Sequence, residues 1–159
     1  MKQAPDAADV ARFVERFAAA LTEAGVPRMP ARAFAALFAT DTGRLTAAEL
    51  AETLQASPAA ISGAMRYLTQ VNLASRHREP GSRRDLFQVH DDVWYEALVR
   101  RDRVLVRWED ALREGIGVLG TDSPAGARLA ETLAFFEFVG KELPDLLERW
   151  RVFKAERRA

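Results

Sequence analysis

The sequence predicts a mainly α-helical fold that contains a winged helix-turn-helix with a two-stranded β wing, flanked by N- and C-terminal helices. Three observations support this prediction. Residues 45–71 contain two segments with strong helix starts and a very short connection, and two strand-like runs around a Pro-Gly turn follow them. The flanking segments repeat apolar residues at helical spacing. These patterns divide the 159 residues into parts at 1–40, 41–90 and 91–159.

The first part, 1–40, is predicted to form two helices, at about 6–24 and 30–40. The apolar residues of the former recur on one face, at Val10, Phe13, Val14, Phe17 and Leu21. Gly25 and Pro27 are typical of a helix end. The second helix should end at the turn formed by residues 41–43.

The central part carries strong capping residues. Thr46 and Glu49 have the spacing of a capping box, and Ser57 is a good N-cap for a helix at 58–71. The two residues between these helices are too few for an antiparallel bundle, so the helices should cross steeply, as in a helix-turn-helix. Asn72 tolerates the left-handed backbone that commonly ends a helix.

Two short strands are predicted at 73–78 and 86–90, with residues 79–85 as the loop of the wing. Positive charge is concentrated here. From residue 66 to residue 84 the chain has five arginines (Arg66, Arg76, Arg78, Arg83 and Arg84) and one acid, Glu79. Such a local patch provides the attractive field that phosphate groups require.

The C-terminal part is predicted to form two long helices. The first begins at about Val93, and its apolar band is wider than one packing surface requires. This helix should fade at Gly115, Gly117 and Gly120. The second begins at Ser123-Pro124. It carries a short heptad seam of Leu129, Leu133, Phe136, Gly140, Leu143, Leu147 and Trp150. Pro144 lies inside the seam, where we expect a kink.

Composition excludes several classes of protein. The chain has 23 basic and 23 acidic residues and no cysteine, which excludes disulfides and thiol chemistry. No apolar run approaches the about 20 residues of a membrane helix, and the N-terminus lacks the apolar core of a secretion signal. We therefore expect a cytoplasmic protein without a membrane partner. Because no nucleophile elbow, phosphate-cradling glycine loop or metal-ligand cluster is present, we expect no enzymatic activity, cofactor or metal.

The string LTAAELAETLQASPAAISGAMRYL at 45–68, with a wing after it, resembles the winged helix-turn-helix of the MarR regulators. The wing string PGSRRDLF and the later Asp-Asp-Val-Trp are more similar to the branch named after a glycine-betaine synthesis repressor (GbsR). The resemblance covers 45–95. It departs from the broader family at Gln55, where glycine is common, and in the wing, which lacks the usual Asp-x-Arg. The resemblance implies a homodimeric repressor whose first and last helices interlock, with a small ligand bound between the dimer and DNA-binding regions.

The predicted partner is double-stranded DNA. The helix at 58–71 is expected in the major groove and the wing tip in the adjacent minor groove, while flanking residues hold the backbone. The predicted DNA contacts are Thr46, Ser57, Ala59, Ala60, Ser62, Arg66, Arg76, Arg78, Arg83 and Arg84. Two alternatives stay open: Ser57 as a helix cap only, and a pairing of Arg83 with Asp85.

Two further surfaces are predicted. The apolar residues of the terminal helices exceed what one chain can cover, which indicates a two-fold dimer; these are Val10, Phe13, Phe17, Leu21, Leu143, Leu147, Trp150 and Phe153. Aromatic residues at Trp94, Tyr95, Trp108, Phe135, Phe136 and Phe138 form a candidate effector pocket, in which a choline-like ligand would be held by cation–π attraction. The same aromatics also fit a plain hydrophobic core.

One rival function remains. The neutral net charge and the short side chains at the start of the helix at 58–71 also fit a winged helix that binds another protein without specific DNA binding. A charge map would discriminate, because DNA binding requires the arginines of the wing and of this helix to share one face.

Overall fold

The computed structural model describes residues 6–78 and 80–158, with the side chains of residues 101–103 left aside. Glu79, the first residue of the predicted wing loop, lies outside the described residues. The chain divides into two compact units, Met1–Trp94 and Tyr95–Ala159. The helices are α1 (Ala7–Glu23), α2 (Arg28–Phe38), α3 (Ala47–Leu54), α4 (Pro58–Gln70), α5 (Val93–Leu119) and α6 (Pro124–Arg158). The strands are β1 (Arg44–Thr46), β2 (Ser75–Arg78) and β3 (Asp85–Gln88). In the described part of the chain, no helix is long and apolar enough to cross a membrane.

α1 and α2 form a helical pair joined by aromatic contacts. Phe17 lies against Phe34 and Phe38, with ring centroids 6.3 and 6.0 Å apart. α2 begins at Arg28, two residues before the predicted start. The prediction was wrong there because Pro30 was taken as the first residue. Proline fits anywhere in the first turn, where backbone N–H groups have no intrahelical partner.

α3 and α4 form the predicted helix-turn-helix. The Thr46–Glu49 capping box and the Ser57 cap are both present. Gln55 adopts the left-handed conformation with φ 48°, so the turn has the glycine-like geometry without glycine. Asn72 also has positive φ, at 61°, and confirms the predicted end of the second helix. The core of this unit contains the fully buried side chains of Phe34, Leu37, Leu50, Ile61, Met65 and Leu68.

The wing belongs to a three-stranded antiparallel sheet with the order β1-β3-β2. The two predicted wing strands are confirmed, while β1 was not predicted. Leu45 lies opposite Phe87, and Thr46 lies opposite Leu86. Gly43 precedes β1 with φ +62°, and a Cβ on it would lie 3.0 Å from the Val89 carbonyl oxygen. Glycine therefore permits the close approach that brings β1 beside β3.

One face of the sheet holds both histidines of the sequence. The Ser75 hydroxyl lies 2.9 Å from His77 Nε2 and 3.0 Å from His90 Nε2. The His77 and His90 rings meet edge to face, with centroids 6.4 Å apart. This cluster joins β2 to the end of β3. Within the described residues, no group of three or more His, Cys, Asp or Glu side chains has the geometry to hold a metal ion.

In the C-terminal unit, α5 and α6 meet through glycines. α5 continues through Gly115 and Gly117 and ends before Gly120, which has φ +75°. The prediction that the helix fades at Gly115 was therefore wrong. A Cβ on Gly115 would lie 2.8 Å from Leu129 Cδ1, so this glycine gives α6 room to approach α5. α6 begins where predicted, since the Gly126 N–H donates to Ser123 Oγ at 2.9 Å.

α6 has two distinct apolar faces. The predicted heptad seam is the more covered one: Leu129, Leu133, Phe136, Gly140 and Leu143 are half-buried, Leu147 is buried, and Trp150 is exposed. The helix continues through Pro144 without a break. A second face, which carries Phe135, Phe138, Leu146 and Phe153, is exposed to solvent.

Candidate nucleic-acid interface

α4 places its apolar and polar residues on opposite sides. Ile61, Ala64, Met65 and Leu68 are buried in the core. The exposed positions recur at helical spacing along the opposite side, at Ala59, Ser62, Gly63, Arg66 and Gln70. This exposed side is called the α4 outer face below. Its side chains are short near the N-terminus, so the α4 backbone is accessible to a closely approaching partner.

Two of the predicted DNA-contacting residues, Ser57 and Thr46, are helix caps. Ser57 Oγ accepts a hydrogen bond from the Ala60 N–H at 3.2 Å. The Thr46 hydroxyl donates to Glu49 Oε2 at 2.9 Å and accepts from the Glu49 N–H at 3.2 Å. Ser57 is exposed and its O–H is not needed for the cap, whereas Thr46 is half-buried and uses both functions of its hydroxyl. Ser57 is therefore the more available of the two for a DNA contact.

The Thr46 cap makes a measurable contribution to stability. We expect Thr46→Ala to lower the free energy of unfolding by about 1 kcal/mol near neutral pH. Hydrogen bonds from the Thr46 N–H and then from its hydroxyl hold the pKa of Glu49 below its ordinary value of 4.5. A carboxylate whose pKa is lower in the folded than in the unfolded protein stabilises the folded state at pH values above its unfolded pKa. This contribution is lost as the pH falls through the folded pKa.

The difference in free energy of unfolding between Thr46→Ala and the unchanged protein should therefore shrink when the pH falls below 4.5, the ordinary pKa of Glu49. Urea unfolding at neutral and at acidic pH measures this. Thr53→Ala is the matched control, because Thr53 is an exposed threonine of α3 and it should change stability by less than about 0.5 kcal/mol. An equal loss for the two threonine variants would contradict the capping role.

Arg76 and Arg78 are exposed residues of β2, with side chains 56% and 67% exposed. Arg76 lies opposite Phe87, and Arg78 lies opposite Asp85; directly opposed residues of an antiparallel pair share a face. Asp85 pairs with Arg76 at 2.6 Å and with Arg78 at 3.7 Å. The hydrogen bond from Arg76 lowers the pKa of Asp85. The predicted alternative, in which Arg83 pairs with Asp85, is not what the structure shows.

Arg83 and Arg84 are exposed at the wing tip. The Arg84 N–H donates to Ser82 Oγ at 3.1 Å, which supports the turn before β3. Arg84 is also close enough to Glu49 to lower the pKa of that carboxyl, so the wing tip and the start of α3 are neighbours. Within the described residues neither arginine forms an ion pair at contact distance.

Two exposed polar residues of this unit were not among the predicted DNA contacts. Gln70 is exposed one helical turn after Arg66 on the α4 outer face, and Arg44 is exposed on β1. The helical spacing from Arg66 was sufficient to find Gln70. Arg44 carried no signal, because its position beside the wing depends on the pairing of β1 with β3.

The tryptophans predicted to line an effector pocket each pack on a phenylalanine of their own unit. Trp94 packs edge to face on Phe34, with centroids 5.6 Å apart. Trp108 instead packs on Phe136, at 5.6 Å. Tyr95 and Trp108 are on the same helix, and a rise of about 1.5 Å per residue places them about 20 Å apart along its axis. A cation–π cage needs rings within about 6 Å of one cation, so Tyr95 and Trp108 of one chain are too far apart to belong to the same cage.

The predicted dimer residues fall into two groups. Val10, Phe17 and Leu21 pack against the core of their own chain, and Leu147 is buried, with 8% exposure. Phe13, Trp150 and Phe153 are 43–50% exposed and remain available to a second chain. The periodicity identified apolar faces correctly, but it did not distinguish a partner in the same chain from one in another chain.

Comparison with known proteins points to transcriptional regulators. The model of the MmpR5-like MarR family of transcriptional regulators matches residues 92–153, which span α5 and most of α6. A crystal structure described as that of a transcriptional regulator has a TM-score of 0.81 and 26% sequence identity, and the match covers 90% of this chain and 98% of that chain. No curated protein matches the sequence.

Two more distant structures also match. An archaeal chromatin protein, TrmBL2, has a TM-score of 0.46 and 19% identity over 82% of this chain and 42% of its own. The adhesin competence repressor AdcR of Streptococcus pyogenes has a TM-score of 0.39 and 18% identity over 85% of this chain and 94% of its own. These two scores are too low to bear on function. The first structure, with the helices and sheet described above, shows that the chain has the fold of a winged helix-turn-helix regulator.

Proposed function

We propose that this chain is a sequence-specific DNA-binding transcriptional regulator of the MarR type, a repressor that acts as a homodimer on a palindromic operator. The α4 outer face carries this proposal. The large apolar side chains of Ile61, Met65 and Leu68 are buried, while the opposite side of α4 is exposed, narrow and free of acidic residues. A helix of this kind fits the major groove of B-DNA.

The chemistry of the α4 outer face fits base edges and phosphates. The Ser62 hydroxyl can donate or accept, Ala59 can contact a thymine methyl group, and Arg66 can reach a guanine or a phosphate. Gln70 extends the same face by one turn. Because most of these side chains are short, shape and deformability of the DNA contribute a large share of the specificity.

The wing supplies positive charge beside this face. Arg83 and Arg84 are exposed and fit the adjacent minor groove, whose negative potential attracts arginine. Arg76 and Arg78 are already paired with Asp85, so their contacts with phosphates compete with that carboxylate. The wing tip therefore contributes more to DNA affinity than the strand arginines.

Removal of the wing-tip charges tests this proposal. The variant Arg83→Ala, Arg84→Ala should bind promoter DNA about 10-fold more weakly or worse at moderate salt. Its log–log salt dependence should be less steep, by about one unit for each phosphate that the variant no longer binds. Fluorescence anisotropy at several salt concentrations measures both quantities.

The control Arg12→Ala, Arg16→Ala removes the same charge from the exposed side of α1 and should change DNA affinity little. Equal affinity of the wing variant and the unchanged protein would show that the wing does not contact DNA.

A protein-binding winged helix is the second candidate function. The zero net charge of the chain favours it, because no long-range attraction to nucleic acid comes from the chain as a whole. Selection of bound sequences from random DNA distinguishes the two. An enriched palindrome supports the regulator, and the absence of enrichment at low salt supports the protein-binding module.

The proposal includes a small-molecule effector that releases the DNA, as the resemblance to the GbsR branch also implies. Tyr95, Val99, Leu143, Pro144, Leu147 and Glu148 line a cavity of about 210 Å³ within the C-terminal unit. This volume is below the range of about 300–1,000 Å³ typical of drug-sized ligands, so it suits a small metabolite. The Tyr95 ring and the Glu148 carboxylate would both favour a cation. This cavity replaces the aromatic cage as the candidate effector pocket.

A further inference from the structure

One arginine of α2 joins three helices of the N-terminal unit. Arg32 donates from Nε and from Nη2 to Glu15 Oε1 of α1, at 2.9 and 2.7 Å. Its Nη2 also donates to the backbone carbonyl of Leu54 in α3, at 3.2 Å. The side chain of Arg32 is 20% exposed, whereas that of Glu15 is 52% exposed. A single guanidinium group therefore connects α1, α2 and the end of α3.

The contact with Glu15 fixes the orientation of the guanidinium. Nε and Nη2 lie on one edge of a rigid planar group, so both can bond the same carboxylate only in one orientation. In this orientation the second N–H of Nη2 is directed at the Leu54 carbonyl. Because partly exposed ion pairs contribute little to the free energy of unfolding, the main consequence of this pair is the orientation of Arg32.

The Leu54 carbonyl is one of the terminal carbonyls of α3. The last four carbonyls of a helix have no partner within it. Those of Ala51 and Glu52 accept hydrogen bonds from backbone N–H groups of the following turn, at 3.0 and 3.2 Å. The Leu54 carbonyl accepts from Arg32 instead, and a positive side chain at this end also agrees with the helix dipole. The end of α3 is therefore held partly by α2.

The contact at Leu54 lies directly before α4. Only residues 55–57 separate Leu54 from Pro58, the first residue of α4. Gln55 has the left-handed conformation and Ser57 caps α4, so this connection has little conformational freedom. A displacement of the end of α3 is therefore passed on to the start of α4.

We propose that Arg32 is a positioning residue for DNA recognition. Held by Glu15, it fixes the end of α3 and thereby the angle at which the α4 outer face meets the base edges. This inference rests on the proposed function. It adds a residue that acts on the DNA interface through the turn between α3 and α4.

The α4 outer face requires accurate placement because its first side chains are short. Ala59 and Ser62 cannot extend to follow a displaced base edge, whereas the long side chains of Arg83 and Arg84 can adjust to a phosphate. Base contacts determine sequence preference, and phosphate contacts do not. Loss of Arg32 should therefore lower the affinity for the operator more than the affinity for unrelated DNA.

The variant Arg32→Gln tests this proposal. Its two DNA ligands are the palindrome enriched in the selection described above and a scrambled duplex of the same length. The preference ratio, which is the affinity for the palindrome divided by that for the scrambled duplex, should fall by about 10-fold. The affinity for the scrambled duplex should stay within about 3-fold of the original. Fluorescence anisotropy measures both affinities.

Arg28→Gln is the matched control, since it removes the same charge from the exposed first residue of α2. It should leave the preference ratio nearly unchanged. The free energy of unfolding of both variants is measured in urea. An unchanged preference ratio in Arg32→Gln, even with a lower free energy of unfolding, would show that Arg32 only stabilises the fold and would overturn the proposal.

Glu15→Ala gives a second test that leaves Arg32 in place. Glu15 is exposed on α1, so the variant should fold. Its preference ratio should fall by about 3-fold or more, because the guanidinium loses its fixed orientation. The double variant Glu15→Ala, Arg32→Gln should lose no more than Arg32→Gln alone, because both changes remove one contact. Additive losses would show that the two residues act separately and would overturn the coupling.

The failure of this inference is distinguishable from the failure of the proposed function. A protein that prefers the palindrome and keeps that preference in Arg32→Gln retains the proposed function and loses only the role of Arg32. If no sequence is enriched and the unchanged protein binds all duplexes alike, the regulator and the role of Arg32 are both removed.

Discussion

Replacement of Gly126 by alanine is expected to lower the free energy of unfolding by about 2 kcal/mol or more. A Cβ built on Gly126 would overlap the carbonyl oxygen of Gly120, which belongs to the backbone and cannot rotate away. The chain between α5 and α6 would have to move, and the cap from Ser123 to the Gly126 N–H would be distorted with it. Urea unfolding followed by circular dichroism measures the effect.

Gly117→Ala is the matched control, with the opposite expected sign. Gly117 is inside α5, and a Cβ there would meet nothing within 4 Å. Alanine is favoured over glycine in a helix interior by about 1 kcal/mol, so this variant should be more stable than the unchanged protein. Equal stability of the Gly126 and Gly117 variants would contradict the close contact between Gly126 and Gly120.

The largest expected effect on function comes from Ala59→Glu on the α4 outer face. Ala59 is exposed, so glutamate is accommodated without disturbing the core. In the proposed complex the new carboxylate would lie against phosphates and acceptor-rich base edges, where like charges cost several kcal/mol. We expect DNA affinity to fall about 100-fold or more.

Ala19→Glu makes the same substitution on the exposed side of α1 and should leave DNA affinity nearly unchanged. Circular dichroism of both variants checks that the fold is retained. Retained operator affinity of Ala59→Glu would place α4 outside the major groove and would favour the protein-binding alternative.

Local signals in the sequence predicted the helix-turn-helix well. The caps at Thr46 and Ser57 and the left-handed residue Asn72 depend on interactions within a few positions of the chain. Such interactions form wherever the residues occur, so they can be read from the sequence. The exposed arginines of the wing were predicted for the same reason, since a tight turn places its tip in solvent.

Features that depend on distant residues were missed or assigned to the wrong partner. β1 has three residues and becomes a strand only through its pairing with β3. Gly115 is a poor helix former by propensity, yet α5 continues through it, and Leu129 of α6 packs against it. Leu147 belongs to an apolar repeat that is equally compatible with a contact inside the chain and with a contact between chains. The structure buries it within its own chain.

Thr46 is both the last residue of β1 and the N-cap of α3. No flexible linker separates the sheet from the helix-turn-helix at this point, and β3, which leads from the wing tip, is hydrogen-bonded to strands on both sides. The wing is therefore a rigid extension of the helix-turn-helix and not a hinged arm. In the proposed complex, a change that tilts the helix-turn-helix would move the arginine tip and the α4 outer face through the same angle, so both grooves would be released in one step.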